Sequence, residues 1–203
     1  MNSVDSMLVT QNIDGLHNQE IRNSKVLMST IDSRSPVEKV GFTPHIYEIH
    51  GNVYYMHSSK ESDAQSSKFV RTPTVEEVEA FAKENNGEVL VPKCEENGEI
   101  MSPHCMCFDE SYSERYYRYD TVKEYMKDAD CLLVIGTTLQ TSFAKSIVED
   151  FLKREQPVIE FNLESAIKKG NNIQVLSKAE DSLPALFKEY YRLESETSTK
   201  SLS

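Results

Sequence analysis

The sequence predicts an α/β fold built on a parallel sheet, and three observations carry that expectation. Residues 131–135 (Cys-Leu-Leu-Val-Ile) form a continuous apolar run that stops at Gly136. A strand buried on both faces reads this way. Residues 137–153 follow with helical periodicity through Phe143, Ile147, Val148, Phe151 and Leu152. Two further apolar runs, 157–161 and 173–175, are each followed by a shorter helical pattern, at 165–169 and 183–191. Strand and helix alternating at this spacing imply right-handed crossovers and a Rossmann-like parallel sheet. Ligands in such sheets bind beyond the carboxyl ends of the strands. That rule singles out Gly15, Gly136, Thr137, Thr138 and Asn162, which all follow strand-like runs.

The rest of the chain reads in order as follows. Residues 7–10 are a short apolar run that ends in the polar Gln11-Asn12-Ile13-Asp14-Gly15. Residues 18–44 are irregular and polar, the pattern of a loop or insertion. Residues 46–55 alternate and are expected to contain strand. A Ser-rich stretch covers 58–68. Thr74-Val75-Glu76-Glu77 then fits a capping box, opening a short amphipathic helix to about Asn85 that Asn86-Gly87 stops. Residues 88–92 are a candidate strand. Tyrosines 112, 116, 117, 119 and 125 stand at partly helical spacing, so most read as packing groups and not as a stacking platform for bases. We read 1–203 as one domain, with a small module inserted at 52–102 and a polar, fraying tail at 194–203.

Composition narrows the function classes. With 22 Lys and Arg against 33 Asp and Glu, the net charge of −11 repels phosphate backbones, so direct nucleic-acid binding is not expected. No stretch approaches the roughly 20 apolar residues of a membrane span, and no membrane partner is expected. The first residues have neither the basic nor the apolar region of a secretory signal. An intracellular setting, cytoplasmic or nuclear, follows as an expectation. In it Cys94, Cys105, Cys107 and Cys131 are thiols or metal ligands.

Five blocks carry a resemblance to a known family. Thr10-Gln11-Asn12-Ile13-Asp14-Gly15-Leu16-His17 is similar to the TQNIDGLH motif of the sirtuin (Sir2) family of NAD-dependent protein deacylases. Glu48-Ile49-His50-Gly51-Asn52 resembles the family's catalytic-histidine segment. The block from Pro103 to Glu110, ending Phe108-Asp109-Glu110, resembles its substrate loop. Leu133-Val134-Ile135-Gly136-Thr137-Thr138-Leu139 and Phe161-Asn162-Leu163-Glu164 resemble its LVIGTSL and INLE stretches. The blocks stand in the family's order over residues 7–186, and the first is highly specific by itself.

The resemblance implies a sirtuin fold, NAD as cofactor and an acyl-lysine protein or peptide as substrate. It implies that Asn12 and Asp14 line the nicotinamide pocket and that Gln11 meets the nicotinamide ribose. It makes His50 the general base toward a ribose hydroxyl, a role that suits an imidazole titrating near neutral pH. Gly136, Thr137 and Thr138 would meet phosphate and ribose, Asn162 the adenosine ribose, and Lys178 and Ala179 the adenine. Met106 and Phe108 would contact the acyl-lysine and its flanking backbone.

The sequence also departs from the family. The glycine-rich G-A-G-I-S turn and downstream P-D-F-R that bind pyrophosphate have no counterpart here. The resemblance therefore implies an incomplete sheet at the N-terminal side and weakened NAD binding. The family's two C-x-x-C pairs are also missing. Met56-His57-Ser58-Ser59 stands where the first would be, and Cys94 with Asn97 where the second would be. No zinc site is expected, and His57, Cys94 and one further ligand are what is left for weak metal binding. Phe108-Asp109-Glu110-Ser111-Tyr112 is similar to a divergent sirtuin-like branch with F-D-E-x-Y. Two rival readings stand beside deacylation: a non-catalytic remnant acting as a binding module, and an ADP-ribosyltransferase or NAD hydrolase.

Overall fold

The computed structural model describes residues 6–24, 46–58, 69–95 and 98–200. The chain forms two compact units, Met1–Glu124 and Tyr125–Ser203. No described helix is long and apolar enough to cross a membrane.

In the first unit, β1 (Leu8–Thr10) pairs in parallel with β2 (Ile46–Glu48). Between them α1 (Leu16–Asn23) occupies part of the stretch expected to be irregular. Its sequence, Leu-His-Asn-Gln-Glu-Ile-Arg-Asn, is too polar for periodicity to reveal it. The helix is set by what precedes it: Gly15 turns the chain at φ 66°, and Asp14 Oδ1 accepts from the Leu16 amide at 3.1 Å. Residues 25–44 lie outside the described residues. The alternating run at 46–55 divides into β2 and β3 (Gly51–Ser58). β3 is the centre of a separate antiparallel sheet, flanked by β4 (Val70–Arg71) and β5 (Met101–Cys105).

Thr74 closes the expected capping box. Its hydroxyl accepts from Glu77 N, and the Glu77 carboxylate accepts from Thr74 N at 2.7 Å. The box opens α2 (Val75–Glu84), which buries no residue, and left-handed Asn86 and Gly87 follow it. The expected strand at 88–92 does not form. Val89 and Val91 are exposed, and only an isolated bridge joins Lys93 to Ile100. The β5 strand that pairs there instead carries Pro103 and His104, which masked it as a strand in sequence. Two helices follow, α3 (Glu114–Tyr117) and α4 (Tyr119–Asp128), and Tyr116 and Tyr117 are buried as packing groups.

The second unit carries β6 (Leu132–Ile135), α5 (Ser142–Lys153), β7 (Val158–Asn162), β8 (Ile173–Leu176) and α6 (Ala179–Lys200). The strands pair in parallel in the order β6-β7-β8. Val134, Val148, Phe151, Val158 and Ile167 form the core. Fully burying such side chains contributes about 1.5–3 kcal/mol each. The helical turn expected at 165–169 is absent because a carboxylate takes its backbone amides. Glu160, wholly buried in β7, accepts from Ala166 N at 2.6 Å, Ile167 N at 3.4 Å and Ser165 Oγ at 2.8 Å. The last helix is longer than its apolar periodicity at 183–191. Ion pairs of Arg192 with Glu189 and Glu196 add local support over its later turns.

Candidate active site

The candidate site in the first unit is the junction of the β1 loop with the β2–β3 turn. Thr10 closes β1: its carbonyl accepts from Ile49 N at 3.0 Å, and its hydroxyl accepts from Asn12 N at 3.1 Å. The loop is then tied to β3, where Val53 N donates to Ile13 O at 3.0 Å. Gly15 passes so close to β3 that a Cβ would meet Asn52 Nδ2 at 2.8 Å and the Tyr54 ring at 3.2 Å. Asn52 is itself fixed. It donates to both Glu48 carboxylate oxygens, at 2.9 and 3.0 Å, and accepts from Tyr54 N. The loop therefore holds its shape while Asn12 stays exposed and Asp14 half-buried.

His50 is half-buried at the turn. Its Nδ1 lies 3.2 Å from the Gln11 carbonyl, which can only accept, so Nδ1 carries the proton and donates. Nε2 then holds the lone pair, and the Tyr112 hydroxyl, at 3.0 Å, donates to it. Burial lowers the His50 pKa below the ordinary imidazole value, with the Gln11 hydrogen bond opposing. The ring is thus a neutral imidazole of defined tautomer, as a general base must be. Gly51 follows at φ 83°, where a Cβ would collide with the His104 carbonyl. This close passage brings β5 to the turn, and Met106 N donates to His50 O at 2.9 Å.

The structure thus brings Gln11, His50 and the Met106 backbone together. Phe108 is fully exposed. The loop beyond it is fastened by Glu110, whose carboxylate accepts from Cys107 N and from the Tyr117 hydroxyl. The sequence grouped Tyr112 with the packing tyrosines and gave no sign of the Glu48–Asn52 clamp. The F-D-E-x-Y run was the available signal for the tyrosine, but only folding shows that its hydroxyl reaches His50.

In the second unit the sequence-predicted residues lie at the carboxyl ends of the parallel strands. Gly136, after β6, is left-handed at φ 60° and donates its N–H to Phe161 O at 2.9 Å. A Cβ on Gly136 would meet nothing within 4 Å, so the loop is open there to a bulky ligand group. The Thr137 carbonyl accepts from Asn162 Nδ2 at 2.9 Å, while Asn162 Oδ1 accepts from Leu163 N. Asn162 therefore joins the ends of β6 and β7, and Thr138 is exposed beside them. Lys178 follows β8, pairing with Glu180 at 3.1 Å, and Ala179 begins α6.

The residues left for a family-type metal do not suit it. Cys94 is buried in an apolar cluster with Met56 and Met101. The His57 ring packs against Tyr116 and Phe69 and shares a hydrogen bond with His104, Nδ1 to Nδ1 at 3.3 Å. Among the described residues no group of three or more His, Cys, Asp or Glu is placed to hold a metal ion. A small cavity in the first unit is lined by Glu48, Asn52, Phe69, His104 and Arg118, among others, and by none of the sequence-predicted site residues.

Comparison with known proteins agrees with this architecture. A Sir2 homologue mutant in complex with ADP-ribose superposes with a TM-score of 0.66 at 17% identity, over 95% of this chain and 62% of its own. A Sir2 homologue–NAD complex gives 0.63 at 18% identity, over 94% and 60%. A Sir2–p53 peptide–NAD+ complex gives 0.60 at 17% identity, over 91% and 62%. The fold is therefore the Rossmann-like α/β fold of Sir2 proteins. An NAD-dependent protein deacylase of Leptospira interrogans serogroup Icterohaemorrhagiae serovar Lai (strain 56601) is 28% identical over 186 residues, 91% of this chain and 61% of its own length. No family model matches. With the five sequence blocks, these likenesses make the chain similar to sirtuin (Sir2) proteins. It spans about three fifths of the length of the relatives it matches.

Proposed function

We propose that the chain provides the site of an NAD-dependent protein-lysine deacylase, which transfers the acyl group to ADP-ribose and releases nicotinamide. One observation carries the reading. The loop Gln11-Asn12-Ile13-Asp14-Gly15 is held against His50, and the Gln11 carbonyl fixes that imidazole as a neutral base. In this reading Asn12 and Asp14 receive the nicotinamide, Gln11 its ribose, and His50 takes a ribose hydroxyl proton. Gly136, Thr137, Thr138, Asn162, Lys178 and Ala179 serve the remainder of NAD, supported by their place at the carboxyl ends of parallel strands. Met106 and Phe108 receive an acyl-lysine peptide. The same reading assigns an intracellular setting, nuclear or cytoplasmic, supported by the free thiols of Cys94, Cys105, Cys107 and Cys131.

The test measures NAD affinity by calorimetry and nicotinamide release with and without an acetyl-lysine peptide. Expected are NAD binding weakened by Asn12→Ala, and peptide-dependent turnover that His50→Ala lowers by about 10²–10⁴. Release independent of peptide supports the ADP-ribosyltransferase or hydrolase reading instead. Turnover unaffected by His50→Ala refutes the role of His50.

A further inference from the structure

We propose that Tyr112 is a positioning residue for His50: its phenol covers the lone pair of the base and has to turn aside before that base accepts a proton. The argument is one of hydrogen-bond inventory. A neutral imidazole has one N–H and one lone pair. The Gln11 carbonyl at 3.2 Å consumes the N–H at Nδ1, because a carbonyl oxygen has no proton to give. The only proton-accepting position of His50 is then Nε2, and the Tyr112 hydroxyl lies on it at 3.0 Å.

The tyrosine is built into place. Its ring lies nearly parallel to the His50 ring at 27°, with centroids 5.9 Å apart. It also stacks on Tyr119 at 5.0 Å and 14°, and Lys123 Nζ stands 5.2 Å from the Tyr119 ring centroid. Tyr112 follows the Cys107–Glu110 turn closed by the Glu110 carboxylate, so it belongs to the loop that carries Met106 and Phe108. In the proposed function that same loop receives the acyl-lysine peptide. The role of Tyr112 deepens the proposed function, since that reading assigns His50 the role of base.

The test reads the lone pair directly and needs no turnover. Long-range proton–nitrogen spectra of the full chain at about pH 8 are expected to show a protonated, pyrrole-type Nδ1 and a pyridine-type Nε2 on His50. Tyr112→Phe keeps the ring and its stack but removes the hydroxyl. The Nε2 signal is then expected to move downfield while Nδ1 stays in place. In parallel, diethyl pyrocarbonate acylates unprotonated imidazole nitrogen, and peptide mapping follows His50 with His17 as internal reference. Its acylation is expected to be at least five-fold faster in Tyr112→Phe, with equal thermal stability.

The opposite tautomer, or an unchanged Nε2 signal together with an unchanged acylation rate, overturns the proposal. If Tyr112→Phe does not fold, Tyr119→Phe is the second variant. It retains the Tyr112 hydroxyl, so parent-like His50 signals and acylation are expected, and fast acylation counts against the proposal. Failure of the deacylase reading shows separately, as absent peptide-dependent nicotinamide release with the His50 tautomer and acylation results intact.

Discussion

The two units bury polar groups in opposite ways. The second surrounds one charged group, the Glu160 carboxylate, with donors from its own next few residues, beside an aliphatic and aromatic core. The first buries two neutral imidazoles, His57 and His104, that pair with each other across β3 and β5 among Phe69, Tyr116 and Tyr117. The carboxylate is satisfied by donors two to seven residues further along the chain. A histidine pair 47 residues apart needs the whole sheet to exist before either ring has a partner. The unit that carries His50 therefore rests on non-local contacts and on one close backbone passage at Gly51.

Gly51→Val gives the largest expected effect. The position combines positive φ with a Cβ collision against the His104 carbonyl, and both problems are backbone problems that no side chain relieves. A destabilisation above about 4 kcal/mol is expected. Amide spectra are expected to lose the β3–β5 signals while those of β6, β7 and β8 remain. Simultaneous loss of both sets means that the two units unfold as one.

Acid sharpens the contrast next. Burial, reinforced by His57, lowers His104 to about 3, and burial lowers His57 as well. Unfolded histidines titrate near about 6.5, so between there and about 3 the unfolded chain binds more protons. The first unit's stability is full above about pH 6.5 and falls as pH drops. Glu160 behaves differently. Burial alone raises a carboxyl's pKa, but hydrogen bonds from Ala166, Ser165, Ile167 and Asn162 outweigh that and hold this one low. Its contribution is present above about pH 4.3 and lost as pH falls through its folded-state value. Melting followed by residue-resolved amide exchange at pH 7.5, 5.5 and 4 is expected to show the first unit weakening first. Parallel loss in both units breaks the comparison.

Glu160→Gln is expected to cost about 2–3 kcal/mol, since an amide cannot accept from all the donors now aimed at the carboxylate. The loss is expected to fall on the 163–167 loop and the Asn162 tether, read as faster exchange at Ala166 and Ile167. Thr74→Ala is the smallest change, about 1 kcal/mol from the capping box, read by thermal melting. It is confined to α2, which buries nothing, so melting of the β6–β8 unit is expected to stay the same.

The sequence by itself determined the parallel sheet at 132–176 and the capping box at Thr74. Each rests on neighbours within one element, where apolar runs, caps and turn residues act locally. Helix α1 and strand β5 were not legible. The first is polar and is started by a glycine turn, and the second contains a proline and pairs with residues 43 to 54 positions away. For the same reason sequence named His50 but not the state of its ring. Its tautomer depends on a carbonyl 39 residues earlier, and the cover on its lone pair depends on a hydroxyl 62 residues later. Such distances are closed only by tertiary structure, because a hydrogen bond selects its partner by position in space and not by order along the chain.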